Sequence, residues 1–140
     1  MSRTTKIVAI ILGVHVLLVV AFESLLGYFQ PEAPGTLVIT TVDAEGETRD
    51  RVLSGLESDG KPYVAVNHWP RAWYGRVKEN PNVEITRGGE TEDYLAIPVS
   101  GEEHDRVAED NPVGIGFRVI TGFAPRYFVR VDPVESSEGQ

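Results

Sequence analysis

The chain of 140 residues has no cysteine and few basic residues. The absence of cysteine excludes disulfide bonds, thiolate metal ligands and cysteine nucleophiles. The 13 Lys and Arg residues are outnumbered by 21 Asp and Glu residues, which gives a net charge of −8. Because nucleic-acid binding depends on neutralising phosphates with basic side chains, we expect no nucleic-acid partner.

Signatures of common catalytic sites are missing as well. The sequence has no P-loop, no G-x-G-x-x-G pattern and no G-x-S-x-G nucleophile elbow. Its three histidines, His15, His68 and His104, are far apart in the chain and predict no metal site. The residues alone therefore assign no catalytic side chain and no metal ligand.

Long hydrophobic runs are absent except at the N-terminus. Residues 7–29, IVAIILGVHVLLVVAFESLLGYF, are interrupted only by His15, Glu23 and Ser24. At about 1.5 Å per residue such a helix reaches about 34 Å, enough to cross a hydrocarbon core of about 30 Å. We predict a retained membrane anchor in residues 1–29, with a transmembrane helix at about residues 7–29. A cleaved signal peptide and a buried hairpin helix are the alternatives.

The charges that flank this run predict its orientation. Arg3 and Lys6 precede it, whereas acidic residues follow it, so the positive-inside rule places the N-terminus in the cytoplasm. The domain is then extracytoplasmic, in the periplasm of a bacterium. His15 lies near mid-span, where it either bonds a neighbouring helix or carbonyl, or contacts a quinone or haem in a partner. Glu23 lies near the outer end and can reach the headgroups.

After a linker at residues 30–35, the hydrophobic pattern changes from continuous to alternating, which is typical of strands. The sequence Asp59-Gly60 indicates a tight hairpin. We predict seven strands, at residues 36–42, 48–56, 62–66, 82–88, 91–99, 113–122 and 126–133. The fold class is therefore mainly β: a small split antiparallel β-barrel over residues 36–133 with two short helices, preceded by the transmembrane helix. A flat sandwich is the alternative, and residues 134–140 are predicted to be a disordered tail.

The two short helices have recognisable ends. Pro70 suits the first turn of one helix and Asn80-Pro81 stops it. Ser100, followed three residues later by Glu103, has the spacing of a capping box that opens the second helix.

Residues 72–85, AWYGRVKENPNVEI, carry the most distinctive pattern: an aromatic pair, a short helix, Asn-Pro and a strand. This block resembles the deazaflavin (F420)-dependent nitroreductase and quinone reductase family. Members of that family have a split β-barrel related to the flavin-binding barrels of pyridoxamine phosphate oxidases. The resemblance extends over roughly residues 37–132.

The resemblance implies a cofactor site. Arg49 matches a basic residue that faces the cofactor phosphate, Trp73 and Tyr74 match the aromatic pair, and residues 67–69 follow backbone that runs along the cofactor. Arg51 and Arg71 join the set because converging arginines suit an anionic group, although solvated strand faces paired with Asp and Glu are the alternative. The predicted cofactor-binding residues are Arg49, Arg51, Asn67, His68, Trp69, Arg71, Trp73 and Tyr74.

Two functions follow from this resemblance. The first is a membrane-anchored oxidoreductase that uses F420 or FMN to reduce a quinone-like or nitroaromatic acceptor. The second is a non-catalytic anchored barrel without cofactor, acting as a binding module or as an accessory subunit of a membrane complex. The acidic loop DAEGE, where the family has a basic one, favours the second function. The predicted extracytoplasmic location favours it too, because a soluble deazaflavin is a cytoplasmic cofactor. The retained pair Trp73-Tyr74 favours the first function. Membrane lipid, a quinone-like small molecule and a membrane protein are the expected partners.

Overall fold

The computed structural model describes residues 2–30, 32–69 and 71–135. Its first element is α1, Arg3–Tyr28, whose start is capped by the Ser2 hydroxyl, which accepts a hydrogen bond from the Thr5 amide at 3.1 Å. Within the described residues, α1 is the one helix whose length and apolar composition would allow it to cross a membrane. Length and composition alone do not separate a span from other apolar helices.

Six antiparallel strands form a closed barrel in the order β1-β2-β3-β6-β5-β4. Their bounds are β1 Thr36–Val42, β2 Thr48–Ser58, β3 Lys61–Val66, β4 Asn82–Arg87, β5 Glu90–Pro98 and β6 Tyr127–Pro133. The β2–β3 hairpin turns at Asp59 and Gly60, which have φ values of 50° and 69°. Such left-handed backbone suits a glycine or an aspartate, so the predicted hairpin is confirmed. The antiparallel barrel is confirmed as well, and a flat sandwich is not formed.

The barrel is filled by side chains that alternate along its strands. Leu37 and Ile39 on β1 point inward, as do Val64 and Val66 on β3. Trp73 and Val77 of helix α2, Ala72–Glu79, pack into the same core. A second small cluster joins Tyr63 and Phe128 of the barrel to Val107 of helix α3, Gly101–Asp110.

One predicted strand is wrong. Residues 113–122 were expected to form a strand because Ile115, Phe117 and Val119 alternate with other residues, but Ile115–Ile120 forms helix α4. The predicted capping box also fails: Ser100 makes no side-chain capping hydrogen bond, and the Glu103 carboxylate instead binds the hydroxyl of Tyr63. Pro70 and the last five residues of the predicted tail lie outside the described residues.

The chain divides into two compact units by its contacts. Unit 1 consists of Met1–Gln30, Asn67–Pro70 and Val113–Pro125. Unit 2 consists of Pro31–Val66, Arg71–Pro112 and Arg126–Gln140, and it contains the barrel with α2 and α3. The predicted domain boundaries, with an anchor that ends at residue 29, stay a prediction.

Candidate functional site

In unit 1, a buried carboxylate of α1 holds the segment that follows β3. Glu23 is only 5% exposed. Its Oε2 accepts a hydrogen bond from the backbone amide of Trp69 at 2.8 Å, and the Nδ1 of His68 lies 3.1 Å from its Oε1. The His68 ring also packs edge-on against Phe117 of α4, with ring centroids 5.4 Å apart. Two of the predicted cofactor-binding residues, His68 and Trp69, are therefore positioned by α1.

A second polar side chain of α1 binds α4 directly. The Nε2 of His15 donates a hydrogen bond to the carbonyl oxygen of Val119 at 2.7 Å. That carbonyl lies in the last turn of α4 and also accepts a hydrogen bond from the Gly122 amide at 3.1 Å. This contact agrees with the structural interpretation of His15 as a side chain bonded to a neighbouring helix. The remaining predicted residue of this unit, Asn67, is half-buried.

In unit 2, aromatic and basic side chains form what we call the α2 platform: Arg71, Tyr74, Lys78 and Tyr127. The rings of Tyr74 and Tyr127 stack with centroids 5.6 Å apart and an angle of 7° between their planes. The Arg71 guanidinium lies 5.3 Å from the Tyr127 ring, and the Lys78 ammonium lies 4.8 Å from the Tyr74 ring. Tyr127 remains 41% exposed, so the platform has an accessible aromatic surface beside two cations.

Burial changes the pKa of Tyr74. It raises the pKa of the Tyr74 hydroxyl above its ordinary value of 10.0, and the neighbouring Tyr127 raises it further. Tyr74 therefore stays neutral at physiological pH and offers a hydroxyl donor beside the cations. Trp73, its neighbour in sequence, packs edge-on against the Tyr74 ring with centroids 6.1 Å apart. It is 6% exposed in the barrel core, which favours packing as its main role.

The two predicted arginines of β2 are placed differently. Arg49 is exposed and binds two carboxylates of its own hairpin: its Nε lies 3.1 Å from Asp43 Oδ2 and its Nη2 lies 2.8 Å from Glu47 Oε2. These carboxylates compete with any phosphate for the guanidinium. Arg51 is half-buried and stands opposite Ile39 in the β1–β2 ladder.

A polar cluster attaches α3 to the barrel. The buried hydroxyl of Tyr63 donates to Glu103 Oε1 at 2.8 Å, and Arg130 Nη1 donates to the same oxygen at 2.7 Å. Arg130 also binds Asp132 through its Nε at 2.9 Å. The bond from Arg130 holds the pKa of the Glu103 carboxyl below its ordinary value of 4.5. Every member has a partner inside the fold, so we interpret this cluster as structural.

The other features of unit 2 offer less to a cofactor. A cleft of about 390 Å³ is lined mainly by residues of β1, β2, β4 and β5, and its charged members, Glu84 and Asp93, are both acidic. Such a lining repels a phosphate. Across residues 2–30, 32–69 and 71–135, no group of three or more His, Cys, Asp or Glu side chains is arranged to hold a metal ion.

The comparison with protein families identifies the family of this chain. The sequence profile of the F420H(2)-dependent quinone reductase family matches residues 13–112, more than half of the chain. The chain belongs to this family. The matched region starts inside α1 and includes α2, α3 and five of the six strands. The predicted family is therefore confirmed, and the protein is of the deazaflavin-dependent oxidoreductase type.

Solved structures agree on the barrel of this quinone reductase family member. An F420H2-dependent reductase, FDR-A, is 24% identical with a TM-score of 0.50, over 69% of this chain and 94% of that one. The heme storage protein HutZ from Vibrio cholerae is 20% identical with a TM-score of 0.55, over 73% and 83% of the two chains. A putative pyridoxamine 5'-phosphate oxidase from Listeria innocua is 14% identical with a TM-score of 0.50, over 84% and 94%. At these identities the likeness shows the fold alone. No curated protein sequence matches the chain.

Sequence reasoning missed three residues of these sites. Glu23 was expected to reach lipid headgroups, and its burial depends on segments far away in the chain. Tyr127 was assigned only to a strand. An aromatic residue at the start of a strand is a signal that could have indicated a surface for stacking. Lys78 was expected to face water, and its position over Tyr74 follows from their spacing of four residues on α2.

Proposed function

We propose that this protein is an F420-dependent reductase of a quinone-like or nitroaromatic acceptor, attached to the membrane through α1. The match to the F420H(2)-dependent quinone reductase family over residues 13–112 carries this proposal. A quinone dissolved in lipid is reached most readily from an enzyme held at the bilayer, and α1 is apolar enough to hold it there. The single-pass arrangement with an extracytoplasmic domain stays a prediction from sequence.

The α2 platform is the part of unit 2 that fits an anionic, planar cofactor. Its two stacked phenol rings offer a flat surface, and Arg71 and Lys78 supply positive charge at its edge. Arginine binds phosphate and carboxylate oxygens in a bidentate manner, which suits the cofactor phosphate. We propose that Arg71, Tyr74, Lys78 and Tyr127 hold the deazaflavin.

The bound deazaflavin would supply the hydride, and the protein's own task is binding and orientation. Tyr74 keeps its proton because burial raises its pKa, so it can donate a hydrogen bond to an anionic or carbonyl oxygen. Arg71 and Lys78 would neutralise the negative charge of the cofactor, which the acidic barrel would otherwise repel. Few catalytic side chains are required by such chemistry.

Fluorescence titration of F420 with the full-length protein in detergent tests the proposal. We expect saturable binding, and oxidation of F420H2 that depends on an added quinone such as menadione. Arg71→Gln removes a charged hydrogen bond worth about 1.5–3 kcal/mol, so the Kd should rise by about 10-fold or more. Lys61→Gln is the matched control, because Lys61 is an exposed base in the β2–β3 hairpin of the same unit.

Each outcome of this titration tests a different part of the proposal. Equal Kd values for the two variants would remove the α2 platform from the cofactor site. Arg49→Ala tests the role implied by the family resemblance, and we expect a smaller loss of affinity because Asp43 and Glu47 already bind that guanidinium. A colourless protein that binds neither F420 nor FMN would reject the enzymatic function.

A non-catalytic binding module is the second candidate. The observation that favours it is the acidic β1–β2 hairpin, in which Arg49 is bound by Asp43 and Glu47. Such an anchored barrel would bind a lipid-soluble ligand or a membrane complex without a deazaflavin. Retention of a quinone by the detergent-purified protein, without F420 binding, would support this candidate.

A further inference from the structure

One face of α1 is covered by the protein's own chain. The buried and half-buried side chains of its central and C-terminal turns are His15, Val19, Phe22, Glu23 and Leu26, which lie on a single helical face. His15 binds the carbonyl of Val119, and Glu23 binds the amide of Trp69. A Cβ at Gly122 would lie 3.1 Å from the Val19 side chain.

These contacts conflict with a perpendicular span. His15 follows the start of the apolar run by eight residues, so in a crossing helix it would lie about 12 Å deep in a hydrocarbon core of about 30 Å. The segment 113–125 would have to lie there too, because Val119 is hydrogen-bonded to His15. The remaining uncovered stretch, residues 7–14, would reach only about 12 Å and cannot cross by itself.

The segment 113–125 is unsuited to hydrocarbon. It carries Arg118, and its α4 helix is followed by irregular backbone in which Gly122 and Phe123 have φ values of 67° and 54°. Arginine at the centre of a bilayer costs about 2.5–3.5 kcal/mol even on the mildest scale. Irregular backbone at that depth is tolerated only inside protein or beside water. The segment therefore suits the headgroup region.

The uncovered side of α1 is wide and apolar. Its large aliphatic side chains that are at least half exposed are Ile7, Val8, Ile10, Ile11, Leu12, Val14, Val16, Leu17, Leu18, Val20 and Leu25. Successive residues such as Val16, Leu17 and Leu18 point about 100° apart, so the apolar surface covers an arc of about 200°. This is broader than the stripe of about 100° or more that an amphipathic helix usually buries against protein. Acyl chains fit such a surface.

The charge of unit 1 agrees with a lipid surface. It carries Arg3, Lys6 and Arg118 against one acidic residue, Glu23, a net charge of +2, within a chain whose total is −8. Basic side chains near a membrane are attracted to anionic headgroups. Trp69 and Phe123 are 43% and 53% exposed, and aromatic rings are enriched at the interface.

We infer that α1 lies along the surface of an anionic bilayer without crossing it, with the segment 113–125 in the headgroup layer. Both ends of the described chain are then on the same side of the bilayer, and we place them in the cytoplasm, where a soluble deazaflavin is supplied. This inference rests on the membrane attachment in the proposed function, and it removes the difficulty of supplying a soluble deazaflavin to an extracytoplasmic domain.

Single-cysteine labelling tests the inference, because the natural chain has no cysteine. Thr4→Cys and Glu135→Cys place one thiol near each end of the described chain, and both positions are exposed. In intact spheroplasts a membrane-impermeant maleimide should label neither variant, whereas in inverted vesicles it should label both. In intact spheroplasts, labelling of Glu135→Cys but not of Thr4→Cys would overturn the inference in favour of a crossing helix, and labelling of both would overturn the cytoplasmic placement.

Two further outcomes complete the test. Recovery of the protein in the soluble fraction would overturn the lipid partner. With purified protein, vesicles that contain phosphatidylglycerol should bind at least several-fold more tightly than phosphatidylcholine vesicles, and equal binding would contradict the charge argument. These measurements use no cofactor, so a failure of the reductase proposal leaves their results unaffected.

Discussion

The attachment of α3 to the barrel depends on Glu103, and its replacement gives the sharpest test of the fold. Glu103→Gln keeps the shape of the side chain and removes its charge. The Oε1 atom loses part of its attraction for Arg130 Nη1 at 2.7 Å and for the buried Tyr63 hydroxyl at 2.8 Å. Glu102→Gln is the matched control, because Glu102 lies in the same first turn of α3 and is exposed.

The expected decrease in the free energy of unfolding lies between the values typical of exposed and of buried ion pairs. The side chains of Glu103 and Arg130 are 26% and 23% exposed, so solvent screens the pair only in part. Arg130 keeps Asp132 as a second partner, and the new amide oxygen can still accept one bond. We therefore expect Glu103→Gln to lower the free energy of unfolding by about 1–2 kcal/mol at neutral pH. With an m-value of about 2 kcal/mol/M, the urea midpoint falls by about 0.5–1 M.

The same pair predicts a pH dependence. The pKa of Glu103 is lowered in the folded protein and has its ordinary value of 4.5 when unfolded. Its stabilisation is thus fully present above pH 4.5 and is lost as the pH falls through the folded pKa. Urea unfolding in detergent, followed by circular dichroism, should show a difference between wild type and Glu103→Gln that shrinks in acid. A difference no larger than that of Glu102→Gln, or one that stays constant with pH, would refute the reasoning.

Two other predictions concern α3 and α4. The carbonyl of Arg126 accepts a hydrogen bond from His104 Nε2, which raises the pKa of His104 above its ordinary value of 6.5. The stability that His104→Gln removes should therefore be present below pH 6.5 and be lost as the pH rises through the folded pKa. NMR titration of the imidazole checks the direction of the shift. Gly122→Ala should destabilise unit 1 by about 1 kcal/mol or more, because its φ is 67° and the new Cβ meets Val19. Gly116→Ala, with open space in α4, should be neutral or stabilising, and equal thermal denaturation of the two alanine variants would contradict this.

Local patterns predicted most of the barrel. The Asp59-Gly60 hairpin depends on backbone that few other residue pairs adopt, and Asn80-Pro81 does end α2 next to its last residue, Glu79. Such signals are local, since each depends on the residues at the turn itself. The family block of residues 72–85 worked for the same reason, because it includes one helix and the strand that follows it.

The errors occur where distant contacts override local pattern. Ile115, Phe117 and Val119 alternate as in a strand, but Phe117 packs on His68 and the Val119 carbonyl binds His15, and both contacts suit a short helix. Long-range packing of this kind is invisible in a local window. The capping box at Ser100 failed because Glu103 finds stronger, charged partners in the barrel.

Glu23 shows how a single carboxylate changes the interpretation of an apolar helix. In the sequence it looks like a charge at the outer end of a span, within reach of headgroups. In the structure it is 5% exposed and its oxygens are committed to His68 and the Trp69 amide. Because both carboxylate oxygens contact protein groups, Glu23 does not reach the headgroups, and the turn of α1 around it belongs to the folded protein. The family match, which begins at residue 13, also includes this turn of α1. The helix that first predicted a transmembrane anchor is thus also the element that positions His68 and Trp69.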